Sequence, residues 1–85
     1  MSATPETVMQ AVIDSVRAIA PEADFAVLDP RRPFREELDL DSFDFLNVLI
    51  ELHARLGVEI PEADYGRLGT LDALLGYLAA RLESA

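Results

Sequence analysis

The sequence predicts an all-α fold, a four-helix bundle with three principal helices and one short third helix. Apolar residues recur at helical spacing in three separate segments, and a capping residue precedes each of them. The chain has 85 residues, of which 51% are hydrophobic, so it is long enough for one small domain and too apolar to be disordered. We expect residues 1–85 to form that single domain.

The first helix is predicted to end at about Ile19. Thr4 is a suitable N-cap, Pro5 fits the first helical position, and Pro21 follows the predicted end. Residues 20–41 then form a long connection, whose apolar side chains are expected to pack onto the helices. Its prolines argue against a long helix there.

Two further principal helices and one short helix complete the prediction. Asp41 is placed to cap a helix that begins at Ser42 and ends before Gly57. One short helical turn is predicted at residues 62–67, and Thr70 is placed to cap the last helix. The last helix has one apolar stripe, made of Leu71, Leu74, Leu75, Leu78 and Leu82.

The helix that begins at Ser42 has two apolar faces. At about 100° per residue, one face centres on Phe45 and the other lies about 100–180° away from it. The core face comprises Phe45, Val48, Leu49, Leu52 and Leu56. The second apolar stripe comprises Phe43, Leu46, Ile50 and Ala54. Because a surface helix needs only one apolar face, the second stripe is either buried in a small bundle or exposed to dock partners.

Negative charge is concentrated in the same part of the chain. Sixteen acidic and seven basic residues give a net charge of −9. Residues 36–64 hold nine acids against one base, a net −8. This balance disfavours binding to nucleic acid, whose phosphates need a basic surface. The acidic segment is either a solvated face that aids solubility or a docking surface for basic partners.

The chain lacks the groups that most catalytic and metal sites need. It has no cysteine, so neither a disulfide nor a thiolate ligand is available. Ser42 and the only histidine, His53, lie about 16 Å apart along one predicted helix, too far for proton transfer. The acidic run at residues 39–44 departs from a calcium loop at ligand and glycine positions. We therefore expect neither catalytic residues nor metal ligands.

The sequence shows no targeting or membrane segment. No basic region followed by an apolar run stands at its start, which argues against a secretory signal. No apolar stretch approaches the roughly 20 residues that cross a bilayer. We therefore expect a cytoplasmic protein without a membrane span.

A resemblance to the acyl carrier proteins begins at residues 34–44. Their sequence, FREELDLDSFD, is similar to the family signature F-x-x-D-L-G-x-D-S-L-D. The similarity continues without a gap through residues 56–62, LGVEIPE, which resemble the family's F-G-I-E-I-P-D, and on to the last helix. It covers essentially the whole chain and implies a bundle of the acyl-carrier type.

The resemblance implies that Ser42 carries 4′-phosphopantetheine, with Asp41 as its motif partner and helix cap. A phosphopantetheinyl transferase moves this group from coenzyme A, and its thiol then holds acyl groups as thioesters. The implied function is that of a free-standing, monomeric carrier in a fatty-acid, polyketide or other specialised acyl pathway, which catalyses nothing itself. Enzymes that load, transfer or condense acyl groups are the implied partners. The alternatives are an unmodified helical interaction module and an aminoacyl or peptidyl carrier.

In the family, the helix that begins at the modified serine recognises partners, which favours the docking interpretation of the second apolar stripe. The implied partner-binding residues are Asp39, Phe43, Asp44, Leu46, Asn47 and Ile50.

This chain departs from the family pattern at several positions. Asp39 replaces a usual Gly. Asn47, His53 and Arg55 stand where bacterial fatty-acid carriers usually have Glu, which favours a dedicated pathway. Phe45 stands where those carriers often have a smaller residue, so we expect its ring to limit the space for an acyl chain.

Overall fold

The computed structural model describes residues 4–84, and helices dominate them. In chain order they are α1 (Pro5–Ile19), α2 (Phe34–Glu37), α3 (Ser42–Leu56), a 3₁₀ helix (Glu62–Arg67) and α4 (Leu71–Ser84). Between residues 4 and 84 there is no strand, only an isolated antiparallel bridge that joins Pro33 to Thr70. The all-α prediction is confirmed, with the short third helix at its predicted residues. The sequence did not predict α2.

The start of α1 follows from its capping residues. The hydroxyl of Thr4 accepts a hydrogen bond of 3.1 Å from the amide of Thr7, and Pro5 follows as the first helical residue. The helix packs mainly against α3 and also against α4. Its buried face comprises Val8, Ala11, Val12, Ser15 and Val16. The hydroxyl of Ser15 is fully buried and has no hydrogen-bond partner within residues 4–84, so α1 carries one unpaired polar atom into an apolar interface.

The core combines side chains from all four α-helices with residues that precede α4. Its fully buried apolar members are Val12, Val16, Phe34, Val48, Leu52, Leu68, Leu74 and Leu78. Burial of one such side chain stabilises the fold by about 1.5–3 kcal/mol. Phe34 and Phe45 pack edge to face with ring centroids 6.2 Å apart. On α3, the predicted core face is buried from Phe45 to Leu52, and Leu56 is half-buried.

Tertiary contacts account for α2, which interrupts the connection between α1 and α3. The amide of Phe34 donates a hydrogen bond of 2.7 Å to the carbonyl of Gly69, immediately before α4. The Phe34 ring is fully buried in the core. A helix of four residues is too short to show a helical period in the sequence, so packing rather than periodicity defines it.

The end of α3 is fixed by two residues. Gly57 adopts the left-handed conformation with φ +69°, which glycine reaches without steric strain, and thus terminates the helix as predicted. His53 Nδ1 lies 3.0 Å from the carbonyl oxygen of Val58. Since a carbonyl only accepts, Nδ1 must carry the proton in this bond. His53 is exposed, and it also holds the segment that leads to the 3₁₀ helix.

A polar cluster joins the 3₁₀ helix to α4. The hydroxyl of Tyr77 donates a hydrogen bond of 2.6 Å to Asp64 Oδ2, and Arg81 Nη2 donates one of 3.0 Å to the same oxygen. The Arg81 guanidinium also lies over the Tyr77 ring, 5.1 Å from its centroid. The pKa of Asp64 is lowered, chiefly by the hydrogen bond from Tyr77 and then by that from Arg81. These contacts hold the 3₁₀ helix beside α4.

Candidate functional site

A Schellman motif ends α2, and the chain continues from it directly into α3. The amide of Leu40 donates a hydrogen bond of 2.8 Å to the carbonyl of Arg35, and the amide of Asp39 donates one of 3.3 Å to the carbonyl of Glu36. Asp39 itself adopts φ +53°, the left-handed conformation that favours glycine at this position. This geometry accounts for the glycine in the carrier signature. Asp is one of the few other residues that adopt it at modest cost.

Asp41 caps α3 immediately before Ser42, the predicted attachment residue. Its backbone is extended, and its Oδ1 accepts a hydrogen bond of 2.8 Å from the amide of Asp44. Ser42 follows as the first residue of the helix, and its side chain is exposed. The first amides of a helix have no acceptor within it, and together with the helix dipole they favour a phosphate at this end.

The second apolar stripe of α3 is exposed, so the interpretation that both faces are buried in the bundle is wrong. The exposed fraction is 70% for Phe43, 56% for Ile50 and 38% for Leu46. Ala54, which ends the stripe, is exposed as well. Neighbouring elements cover only the core face of α3, and this small bundle leaves the other face to solvent. An exposed run of large apolar side chains is typical of interaction surfaces.

Polar residues border this stripe on both sides. Asp39 and Asp41 are exposed ahead of it, and Asp44 is half-buried in the first turn of α3. Asn47 Nδ2 donates a hydrogen bond of 3.1 Å to the carbonyl of Phe43, which holds its side chain along the helix. The structure thus brings all six residues expected to bind partners to one end and one side of α3.

An open groove of about 750 Å³ lies beside Ser42. We call it the first groove; α2, α3 and the segment around the 3₁₀ helix line it. Its lining includes Leu40, Phe45, Leu46, Leu68, Tyr65, Arg35 and Ser42 itself. The contribution of Arg35, Tyr65 and Leu68 could not be read from the sequence, because only the tertiary fold brings them next to the serine.

A smaller groove of about 380 Å³, the second groove, follows along α3. Leu49, Ile50 and His53 form its α3 side, and Ile60 and Tyr65 are on the opposite side. The volumes of both grooves lie within the range of about 300–1,000 Å³ that is usual for small-molecule sites.

Residues 4–84 hold neither a cluster of side chains suited to a metal ion nor a helix that could span a membrane. No group of three or more acidic or histidine side chains in that range is arranged to hold a metal ion. Likewise, none of the helices described there is both long and apolar enough to span a bilayer.

Comparison with protein families gives one match that covers most of the chain. The family described as the phosphopantetheine attachment site matches residues 10–78. This range contains α2, α3, the 3₁₀ helix and most of α1 and α4. It also contains Ser42 and both grooves.

Two related proteins are named as acyl carrier proteins. An acyl carrier protein of Rubrobacter xylanophilus is 31% identical over 55 residues, which are 65% of this chain and 68% of that protein. A meromycolate extension acyl carrier protein of Mycolicibacterium smegmatis is 27% identical over 81 residues, 92% of this chain and 78% of that protein.

A solved structure is similar over the full length. The solution structure described as an acyl carrier protein from Anaplasma phagocytophilum superposes with a TM-score of 0.77 at 25% identity. The match covers 100% of this chain and 97% of that one. The predicted bundle of acyl-carrier type and the predicted phosphopantetheine cofactor are thereby confirmed. The chain belongs to the phosphopantetheine attachment family and, within it, to the acyl carrier proteins.

Proposed function

We propose that Ser42 carries 4′-phosphopantetheine and that this protein presents acyl groups, as thioesters on that arm, to the enzymes of one acyl pathway. The observation that carries the proposal is the position of Ser42. Its hydroxyl is exposed at the start of α3, immediately after the cap formed by Asp41, and it borders the first groove. A transferase can reach the hydroxyl, and an attached arm has a surface to lie against.

Attachment needs a base that accepts the proton of the Ser42 hydroxyl. In the step, the Ser42 oxygen bonds to the phosphorus that bears pantetheine, and the bond from that phosphorus to the nucleotide part of coenzyme A breaks. The hydroxyl proton must go to a base, and His53 is not that base, because it lies about 16 Å away along α3 and is bonded to Val58. Once bound, the arm supplies the thiol that this cysteine-free chain lacks.

We propose the second apolar stripe and the acids beside it as the surface that docks partners. Phe43 and Ile50 offer apolar contact area, while Asp39 and Asp44 supply negative charge at the end where the arm is attached. The partners that fit are acyl-handling enzymes, the transferase included, with an apolar depression bordered by Arg or Lys.

The charge pattern of α3 supports a dedicated pathway rather than general fatty-acid synthesis. Asn47 and His53 carry no negative charge, and Arg55 forms an ion pair of 3.5 Å with Glu51, so the acids are concentrated at the start of the helix. A partner that binds this surface would contact negative charge near Ser42 and apolar or neutral side chains further along α3. One relative is named for a particular process, meromycolate extension, which agrees with such specialisation within the family.

The test of the proposal is incubation with coenzyme A and a broad-specificity phosphopantetheinyl transferase, followed by intact mass measurement. We expect the mass of one phosphopantetheine on the wild type and none on Ser42→Ala. Ser15→Ala is the matched control, since Ser15 is fully buried and the gain should persist. A wild-type chain that gains no mass, or a Ser42→Ala variant that does, would refute the attachment site and favour an unmodified interaction module or another site.

A further inference from the structure

Tyr65 separates the two grooves that run along α3. The first groove borders the early part of α3, at Ser42 and Leu46, and the second borders its later part, at Leu49 and His53. Among residues 4–84, Tyr65 is the single residue that lines both grooves. Its half-buried side chain therefore stands where one groove ends and the other begins.

The two tyrosines near the 3₁₀ helix differ in how they are held. Tyr77 is fixed by hydrogen bonds to Asp64 and Arg81. The hydroxyl of Tyr65 makes no hydrogen bond within residues 4–84, so packing alone holds its ring. Displacement of this ring therefore breaks no hydrogen bond among the described residues, and it would join the two grooves into one longer groove.

The linings of both grooves fit an apolar chain. Leu40, Leu46 and Leu68 border the first groove, and Leu49 and Ile60 border the second. A chain tethered at Ser42 reaches the first groove before the second, because Ser42 lines only the first. The charged residues that also line the first groove, Arg35, Glu36 and Asp39, belong to α2 and the turn after it, the segment that leads to Ser42. In the second groove the polar lining consists of His53 and Glu59.

We propose that Tyr65 sets the length of acyl chain that this protein shelters, by closing the first groove against the second. The inference rests on the proposed attachment of the arm to Ser42. With the ring in place, a bound chain occupies the first groove, and any further length stays in solvent. Without the ring, a longer chain continues into the second groove and contacts Ile60.

The test uses protein loaded at Ser42 with non-hydrolysable acetyl-, octanoyl- and dodecanoyl-pantetheine, and measures chemical shifts. In the wild type we expect the octanoyl and dodecanoyl forms to shift Leu46 and Leu68 relative to the acetyl form, while Ile60 stays unchanged. In Tyr65→Ala the dodecanoyl form should also shift Ile60. Tyr65→Leu, which keeps an apolar side chain for folding, should give the same shift if the alanine variant unfolds.

Tyr65→Phe is the matched control, because it retains the ring and removes only the hydroxyl. It should behave as the wild type. Equal Ile60 shifts in the wild type and Tyr65→Leu, a phenylalanine variant that behaves as the leucine variant, or no groove shift in any form would overturn the inference. Failure of the attachment itself is recognised separately, since intact mass shows whether Ser42 is loaded before any spectrum is recorded.

Discussion

The amide of Leu40 donates a hydrogen bond of 2.8 Å to the carbonyl of Arg35, and this bond closes the turn that leads to Ser42. It requires the left-handed conformation at Asp39, with φ +53°. Leu40 is then buried and Asp41 is free to cap α3. The backbone before Ser42 is thus set by a residue three positions upstream.

Replacement of Asp39 tests how much this conformation costs. Asp39→Gly should raise the free energy of unfolding by about 0.5–1 kcal/mol, because glycine adopts φ +53° without steric strain. Asp39→Ala should lower it by a similar amount, since alanine has a Cβ and lacks the polar side chain that makes Asp tolerant. Urea unfolding measures both. An alanine variant as stable as the glycine variant would contradict the strain argument.

Ile50 offers the cleanest test of the proposed docking surface. The side chain is 56% exposed, so Ile50→Glu should change the free energy of unfolding by less than about 0.5 kcal/mol. It should nevertheless slow transfer to and from the partner enzymes, because a carboxylate would be desolvated in the contact. Asp41 is less suitable, since its loss also removes a helix cap worth about 0.5–2 kcal/mol.

Val27→Glu is the control for Ile50→Glu. Val27 is 78% exposed in the connection before α2, outside the second apolar stripe, and the substitution introduces the same charge. Transfer rates measured with one cognate enzyme should fall for Ile50→Glu and stay at the wild-type value for Val27→Glu. Equal rates for all three proteins would contradict docking at this part of α3, and unfolding of Ile50→Glu would show that Ile50 has a structural role instead.

The cluster of Asp64 and Tyr77 predicts how stability depends on pH. The lowered pKa of Asp64 means that its contribution is present above about pH 4, the unfolded value, and is lost as pH falls through the folded value. The pKa of Tyr77 is raised, first by burial and then by its bond to Asp64. Its contribution is therefore present below about pH 10 and is lost as pH rises through the folded value.

Tyr77→Phe should reduce the pH dependence of the free energy of unfolding at both acidic and alkaline pH. It removes the titrating hydroxyl and the main cause of the lowered pKa at Asp64, while the Arg81 bond to Asp64 remains. Urea unfolding from pH 3 to pH 11 measures the effect, with Tyr65→Phe as the control that leaves the cluster intact. A Tyr77→Phe profile with the same slopes as the wild type would show that this hydrogen bond has no part in the pH dependence.

The sequence predicted the features that depend on local rules. Thr4, Asp41 and Gly57 lie at the predicted helix boundaries, because caps and left-handed termini are set by neighbouring residues. The core face of α3 also agrees with the helical count. These features need no knowledge of what the helix packs against.

The features that the sequence alone left open depend on tertiary contacts. The count of faces on α3 could not decide whether Phe43 and Ile50 are buried, because that depends on how many helices surround α3. The helix α2 exists through the burial of Phe34 and its bond to Gly69. The role of Tyr65 requires two grooves that are formed by residues far apart in the chain.

Phe45 is expected to limit the depth of the first groove. Its side chain is 8% exposed, its ring packs against Phe34, and the residue also lines the groove beside Ser42. The ring therefore stands between the groove and the core, and close packing leaves a chain no room to pass it. We predict that short acyl groups are sheltered and that long ones do not enter the core.

Phe45→Val should open this path at a stability cost of roughly 2–3 kcal/mol, less than the 3–5 kcal/mol usual for truncation of phenylalanine to alanine. The measurement is the shift of core residues when octanoyl- replaces acetyl-pantetheine on Ser42. In the variant we expect the signals of Leu52 and Leu74 to move, whereas in the wild type they should stay in place. Both side chains are fully buried in the core and line neither groove, so they report entry into the core rather than length along α3. Strong octanoyl shifts at Leu52 and Leu74 already in the wild type would show that Phe45 does not close the core to an acyl chain.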